Sequence, residues 1–338
     1  MRSEYYGSMA MGLFLAATIL LLTPGAWQTP TSAQQSTETF ATGGDLDAPY
    51  DLAFAPNGIL AVSGAESKTI VVFDELGELV GTVLFLENPP TGLAYQGLEA
   101  LWGGMEPGGV SEGDEGFVFL IDPMGQVTTV DSGVGFDPRG MVRGTGGNIF
   151  VAERSSETVL EYSVVTREPS VFAVPGNDGC FGIAFIAFSP VNGDLYVTCR
   201  DSGEVYRYAA GGLFVLKWSV SSAPSGIAVD TEERVYIARE TNDAIERYDG
   251  GGDFIDIFAV GLSSPRGIVF GPDGNLYIAN SDTNSVLRAE GDAAAGLCSI
   301  AGTAAATGAP LANWLVVLLP ALAAGLRIAG RRTGALRS

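Results

Sequence analysis

The sequence contains no histidine, which removes several kinds of chemistry at once. Ser-His-Asp and Cys-His catalysis, zinc sites with imidazole ligands and histidine general bases are all excluded. Basic residues are also scarce, since 18 lysines and arginines accompany 39 aspartates and glutamates, for a formal charge of −21. Clustered lysine and arginine carry affinity for phosphate backbones, so the composition argues against a nucleic-acid partner. We interpret the acidity as a solvated surface.

Long amphipathic helical patterns are few, whereas glycine is abundant, at 46 of 338 residues. Hydrophobic residues make up 46% of the chain, which is ample for a core. Many glycines combined with short apolar runs favour an all-β protein rich in turns.

The N-terminus has the pattern of a signal peptide. Arg2 precedes an apolar run over residues 9–22, which Pro24 and Gly25 interrupt, and small residues at 31–33 provide a cleavage site before Gln34. We predict a signal peptide over residues 1–33 and an exported protein. An uncleaved N-terminal anchor is the alternative.

A second apolar segment, residues 309–326, lies near the C-terminus and is followed by four arginines between 327 and 337. We predict a transmembrane or sorting segment over residues 309–338, with the arginine tail in the cytoplasm and the rest periplasmic or on the cell surface. An Ala/Gly linker, residues 293–308, precedes it and contains the lone Cys298. This layout resembles bacterial PEP-CTERM-like sorting signals, although the PEP box is missing. The resemblance implies cleavage or lipidation at Cys298, and a plain tail anchor is the alternative.

Between the two ends, one pattern recurs every 41 to 48 residues, which is the length of a four-stranded propeller blade. Each repeat begins with a short apolar strand, and a turn, a second strand, a polar loop and a third strand follow. The six starts are PYDLAF (49), PTGLAY (90), PRGMVR (138), CFGIAF (180), PSGIAV (224) and PRGIVF (265).

The last repeat lacks a fourth strand, and the segment TETFATGG (37–44) has the rhythm of one. We therefore predict that the N-terminus closes the ring by pairing with the final blade, which removes open strand edges. The resulting fold is an all-β, six-bladed propeller over residues 34–292.

The repeats, above all SPRGIVFGPDGNLYIANSDTNSVLRAE (264–290), resemble the NHL-repeat family of six-bladed propellers. The resemblance implies the fold and leaves the function open, because function on a widely used fold resides in its site. The same class includes gluconolactonase-like enzymes, which hold a divalent cation around one mouth of the channel.

Candidate site residues come from the strand-one starts and the loops after strand two, which surround one mouth in this class. They form one set: Arg139, Glu153, Arg200, Arg239, Arg266 and Asn280. Several arginines at a mouth favour a carboxylate or phosphate ligand, because guanidinium groups bind such anions with two parallel bonds. Alternatively, the arginines pair with nearby acids, for example Arg239 with Glu240 or Arg154 with Glu153, and only stabilise loops.

The gluconolactonase resemblance would make Glu153 and Asn280 candidate ligands of Ca²⁺ or another divalent cation. No third ligand stands out, so our main expectation is a protein without a cofactor. It is a non-enzymatic propeller that binds a protein or a small anionic ligand at its mouth and is tethered to the membrane. A metal-dependent hydrolase or lyase is the alternative.

Two further cysteines, Cys180 and Cys199, fall in one repeat at the same end of a predicted hairpin. Export makes a structural disulfide between them possible.

Overall fold

The computed structural model describes residues 34–107, 115–220 and 223–291, which lie in one compact unit. These residues form 24 β-strands and two 3-10 turns, and none of their helices is long and apolar enough to cross a membrane. The signal peptide, linker, Cys298 and membrane segment predicted above lie outside the described residues.

The strands form six antiparallel sheets of four strands, which are the six predicted blades. Blades one to three contain β2 (Pro49–Phe54), β3 (Leu60–Gly64), β4 (Thr69–Phe73), β5 (Leu79–Phe85); β6 (Pro90–Gln96), β7 (Ala100–Met105), β8 (Glu115–Ile121), β9 (Val127–Val134); and β10 (Pro138–Arg143), β11 (Ile149–Glu153), β12 (Thr158–Tyr162), β13 (Pro169–Ala173).

Blades four and five follow the same order, and blade six combines the two ends of the propeller. Their strands are β14 (Ile183–Phe188), β15 (Leu195–Cys199), β16 (Glu204–Tyr208), β17 (Phe214–Ser219); β18 (Pro224–Val229), β19 (Val235–Arg239), β20 (Ala244–Tyr248), β21 (Phe254–Val260); and β22 (Pro265–Phe270), β23 (Leu276–Asn280), β24 (Ser285–Ala289), β1 (Thr37–Thr42).

The N-terminal strand closes the ring, as predicted. β1 pairs antiparallel with β24, with Thr37 opposite Ala289 and Thr42 opposite Ser285, and it becomes the outer strand of blade six. Ala41 is buried in this strand and joins the core between blades six and one. The N-terminal segment and the last repeat therefore form one four-stranded sheet.

The first strands of neighbouring blades contact one another in a ring around the central channel. The third position of these strands is glycine in four blades because the backbones approach too closely for a side chain. A Cβ atom at Gly92 would lie 2.1 Å from the carbonyl oxygen of Arg139, and one at Gly226 would lie 2.1 Å from that of Arg266. This close approach explains the recurrent glycine in the repeat.

Blades one and four depart from this rule, with Asp51 and Phe185 at the third position. In these two blades a side-chain hydroxyl links the backbone of the first strand to the backbone of the next blade. Ser63 accepts from the Asp51 amide at 2.9 Å and donates to the carbonyl of the next blade at 2.8 Å. The Thr198 hydroxyl accepts a hydrogen bond from the Phe185 amide at 3.0 Å and donates one to a backbone carbonyl of the next blade at 2.8 Å. The other four blades have glycine or alanine where these hydroxyl residues lie.

Blade four also corrects one sequence interpretation. Its first strand begins at Ile183, which pairs with Cys199 as Pro224 pairs with Arg239 in blade five. The predicted start at Cys180 was three residues early, because a 3-10 turn (Pro175–Asp178) and the segment after it form a detour before the strand. A disulfide between Cys180 and Cys199, with sulfurs 2.02 Å apart, fixes this detour to the second strand.

Candidate functional site

Two rings of side chains surround one mouth of the channel. The second residues of the six first strands are Tyr50, Thr91, Arg139, Ala184, Ser225 and Arg266. The residues immediately after the six second strands are Ala65, Glu106, Arg154, Arg200, Glu240 and Ser281. Because the first strand of blade four starts at Ile183 and not at Cys180, its second residue is Ala184.

The predicted set mixed two neighbouring positions of the second strand. Glu153, Arg239 and Asn280 are the last residues of their strands, whereas Arg200 is the residue after its strand. Consecutive side chains of a strand point to opposite faces, so a shift of one residue changes the environment completely. Arg200 accordingly lines a cavity at the mouth together with Arg139 and Arg266, and the other three predicted residues do not line it.

Arg239 is fully buried within blade five. Its Nη1 lies 2.5 Å from Oε2 of Glu246, and the Tyr248 hydroxyl donates to the same oxygen at 2.7 Å. Glu240, the partner suggested by the sequence, binds two other arginines instead. Arg239 is therefore part of the blade interior.

Glu153 is buried and serves the loop that follows its own strand. Its carboxylate accepts from the Asp137 amide at 2.9 Å and from the amides and hydroxyls of Ser155 and Ser156. Burial raises the pKa of this carboxyl, but the serine hydroxyls and backbone amides outweigh it and lower the pKa overall. The suggested pairing with Arg154 does not form, because Arg154 binds Asp201 at 3.0 Å.

Asn280 has the same loop-holding role in blade six. Its side-chain oxygen accepts from the Ser263 amide at 2.7 Å, and its nitrogen donates to the Thr283 hydroxyl at 2.5 Å. Metal ligands need free oxygen lone pairs directed at a common point. Glu153 and Asn280 direct theirs into separate loops, and no cluster of three acidic or thiol groups suited to a metal occurs in the described parts of the chain. These residues do not fit the divalent cation that the resemblance implied.

The cavity at the mouth is small, about 60 Å³, and is built around Glu240. Arg200 Nη2 lies 2.8 Å from one oxygen of the Glu240 carboxylate, and Arg266 Nη2 lies 3.2 Å from the other. The Arg266 guanidinium also lies 5.5 Å from the ring centre of Tyr50, which stacks on Phe185 at 5.3 Å. Two guanidinium groups, one of which lies over the Tyr50 ring, therefore share a single carboxylate.

A third arginine of the mouth, Arg139, is held by acids on both sides. Its Nη1 lies 2.6 Å from Glu106, and its Nε lies 2.8 Å from Asp137. Burial raises the pKa of the adjacent Tyr50 despite the nearby arginine charges, so its hydroxyl stays protonated. This corner of the mouth is neutralised internally, whereas the Arg200 and Arg154 side chains are 39% and 36% exposed.

The sequence analysis missed Arg154, Glu240 and Glu106 as mouth residues. Their signal was present, because each directly follows a strand-two segment, as Arg200 does. Aligning the repeats at the strand end would have placed all four in one ring.

No family model matches the sequence, and no curated protein matches it. Solved structures of similar fold include a gluconolactonase from Xanthomonas campestris, 14% identical over 76% of this chain and 89% of that one, with a TM-score of 0.60. A streptogramin B lyase is 14% identical over 76% and 97%, with a TM-score of 0.56. An auxiliary nutrient binding protein from Bacteroides thetaiotaomicron is 12% identical over 76% of each chain, with a TM-score of 0.59. At these identities the similarity shows the six-bladed propeller fold alone.

Proposed function

We propose that this protein is a non-enzymatic binding propeller that recognises a carboxylate or another small anionic group at the arginine mouth. The observation that carries the proposal is the convergence of Arg200 and Arg266 on the single carboxylate of Glu240. Guanidinium groups arranged in this way bind a ligand carboxylate by the same geometry. Arg154 adds a further exposed guanidinium to this cavity.

The Glu240 carboxylate occupies the position at which an anionic ligand would contact the arginines of the mouth. An incoming carboxylate competes with it for the same two arginines, and the Nε atom of Arg266 is buried without a hydrogen-bond partner in the described structure. A ligand acceptor at this nitrogen would satisfy it, which favours binding. A partner protein would present such an acceptor on an aspartate, a glutamate or its own C-terminus.

The experiment is a calorimetric titration of the full-length protein with succinate, and with inorganic phosphate as a second probe. We expect Arg200→Ala and Arg266→Ala to weaken binding at least about tenfold. Glu240→Gln should strengthen it, because the competing charge is removed. Arg288→Ala is the matched control, since Arg288 is similarly exposed and pairs with Glu38 in the outer part of blade six.

Two results would contradict the proposal. One is an absence of binding both in the wild-type protein and in Glu240→Gln. The other is binding that Arg288→Ala weakens as much as Arg200→Ala does, because this would indicate a general charge effect.

We further propose that the propeller is of the NHL type and acts outside the cytoplasm, anchored by residues 309–338. The repeat sequences support the first point, and the apolar segments with the terminal arginines support the second. Cell fractionation of the full chain against a chain that ends at residue 308 tests the anchor. Release of the shortened chain into the soluble fraction is the expected result, and identical fractionation would contradict it.

A metal-dependent hydrolase or lyase is the alternative function, and the gluconolactonase and lyase of similar fold are the reason to retain it. Its proposed ligands, Glu153 and Asn280, are engaged in loops, which gives it less support than anion binding. Lactone turnover that Glu153→Ala abolishes without unfolding the protein would favour it.

A further inference from the structure

A second and larger cavity opens at the opposite mouth of the channel, where the first strands end. Its volume is about 450 Å³, which is within the range of small-molecule sites. Apolar residues of the first strands line it, among them Leu93, Met141, Ile186, Ile227 and Ile268. Arg143 is exposed at its rim.

Phe185 lies between this cavity and the arginine mouth, since it lines both. Asp51, the other large residue at the third position of a first strand, lines the second cavity only. The two cavities share Phe185 and no other lining residue, and none of the arginines of the mouth lines the second cavity.

Asp51 is the polar group at the inner end of the second cavity and is only 5% exposed. One carboxylate oxygen accepts from its neighbour Leu52 at 2.8 Å, and the other accepts from Leu93 in blade two at 2.9 Å. The Met141 amide of blade three is a further donor. In the described residues, no lysine or arginine side chain donates to this carboxylate. It has amide donors but no counter-charge.

A buried carboxylate without a counter-ion is costly, and a cation that reaches it from the cavity offsets that cost. We propose that the second cavity binds an apolar amine, with its ammonium group on Asp51 and its hydrocarbon part against the strand walls. Each carboxylate oxygen has two lone pairs, so an ammonium group can bind while the backbone amides keep their bonds. The apolar walls select against small hydrophilic amines.

The test uses three probes of equal length: 4-phenylbutylamine, the uncharged 4-phenylbutan-1-ol and the anion 4-phenylbutyrate. Each is titrated calorimetrically into the full-length protein at high salt, which screens attraction to the acidic surface. We expect the amine to bind about tenfold more tightly than the alcohol, and the anion to bind more weakly than both.

Two variants locate the binding in the cavity. Val142→Trp fills the space, because Val142 is half-buried and lines the cavity wall, and should weaken the amine at least about tenfold. Val171→Trp is the matched control on an exposed outer strand and should have no effect. Asp51→Asn should weaken the amine about tenfold and leave the alcohol unchanged.

Equal affinity for amine and anion, an unchanged amine affinity in Val142→Trp, or no amine binding by the wild-type protein would each overturn the proposal. If Asp51→Asn fails to fold, the comparison of Val142→Trp with Val171→Trp and the order of the three probes still decide. Anion binding at the arginine mouth is measured in a separate titration, so either binding proposal can be contradicted without the other.

Discussion

The Asp51 carboxylate of the first blade accepts a hydrogen bond from the Leu93 amide of the second blade at 2.9 Å. This bond ties two innermost strands together through a side chain at a position that is glycine in four of the six blades. Asp51 also lines the larger of the two cavities. One residue therefore contributes both to the contact between blades and to the cavity wall.

Asp51 should make stability depend on pH. Burial raises the pKa of this carboxyl from 3.8 to about 7, so the folded protein binds more protons than the unfolded chain between these values. The contribution of Asp51 to the free energy of unfolding consequently falls as pH rises from about 4 to about 7, by on the order of 4 kcal/mol. The measurement is urea denaturation across this range for the wild-type protein and Asp51→Asn.

The difference between the pH dependences of the two proteins reports on Asp51 alone, because the other carboxyls are present in both. Arg266 lies on β22, which packs against β2, and Arg139 lies two blades away on β10. Both donate to other acids, so they do not reverse the sign. An identical pH slope in the two proteins would show that Asp51 titrates in its ordinary range.

The Ser63 and Thr198 hydroxyls that bridge neighbouring blades should contribute more to the free energy of unfolding than ordinary surface hydrogen bonds do. Ser63→Ala and Thr198→Ala each leave a buried amide and a carbonyl of the next blade without a partner, and should cost about 1–3 kcal/mol of unfolding free energy. Ser170→Ala, on an exposed strand, is the control and should stay within about 0.5 kcal/mol. Chemical denaturation measures all three, and equal small effects would argue against a role in blade spacing.

Arg239 and Arg154 should give opposite results. Arg239→Ala removes the guanidinium that lies against the Glu246 carboxylate in the interior and should cost about 3–5 kcal/mol of stability, with little change in succinate affinity. Arg154→Ala should leave stability nearly unchanged, because the ion pair between Arg154 and Asp201 is largely exposed. The same variant should weaken the binding of succinate. Denaturation and calorimetry on both variants test whether the mouth is built by the residues after the strands. The reverse result would restore the set predicted from the sequence.

The disulfide of blade four should stabilise the fold by about 3 kcal/mol, since it closes a loop of 19 residues. Removal of both cysteines, as Cys180→Ala and Cys199→Ala, should lower the urea midpoint accordingly. Reductant should lower the midpoint of the wild-type protein and leave the double variant unaffected. A wild-type midpoint that does not respond to reductant would mean that the bond does not contribute.

Ring closure by β1 can be tested on neighbouring side chains of the same strand. Ala41→Asp places a charge in the core between blades six and one, where Ala41 is 3% exposed, and should cost about 3 kcal/mol or more. Thr39→Asp adds the same charge on the exposed face and should change stability by about 0.5 kcal/mol or less. Comparable effects of the two would indicate that β1 does not close the propeller.

The repeat was sufficient to predict the blade number and the closure by β1, because each blade shows its strand alternation and turns locally. Four blade starts marked by proline and glycine, such as Pro224, lie where the sequence placed them. The start of blade four was predicted three residues too early. The sequence of Cys180, Phe181 and Gly182 resembles the start of a first strand, but these residues belong to the segment between the 3-10 turn and the strand.

The sequence by itself determined an acidic, histidine-free, six-bladed β-propeller whose ends pair, since these properties follow from composition and local periodicity. Only the tertiary structure decided which arginines face the channel and which, like Arg239, are buried inside a blade. It also showed that Phe185 lies between two cavities of the channel and that Asp51 lines the larger one. The physical reason is that a one-residue change of register reverses the face of a strand side chain, and the register is fixed by contacts between blades that lie far apart in sequence.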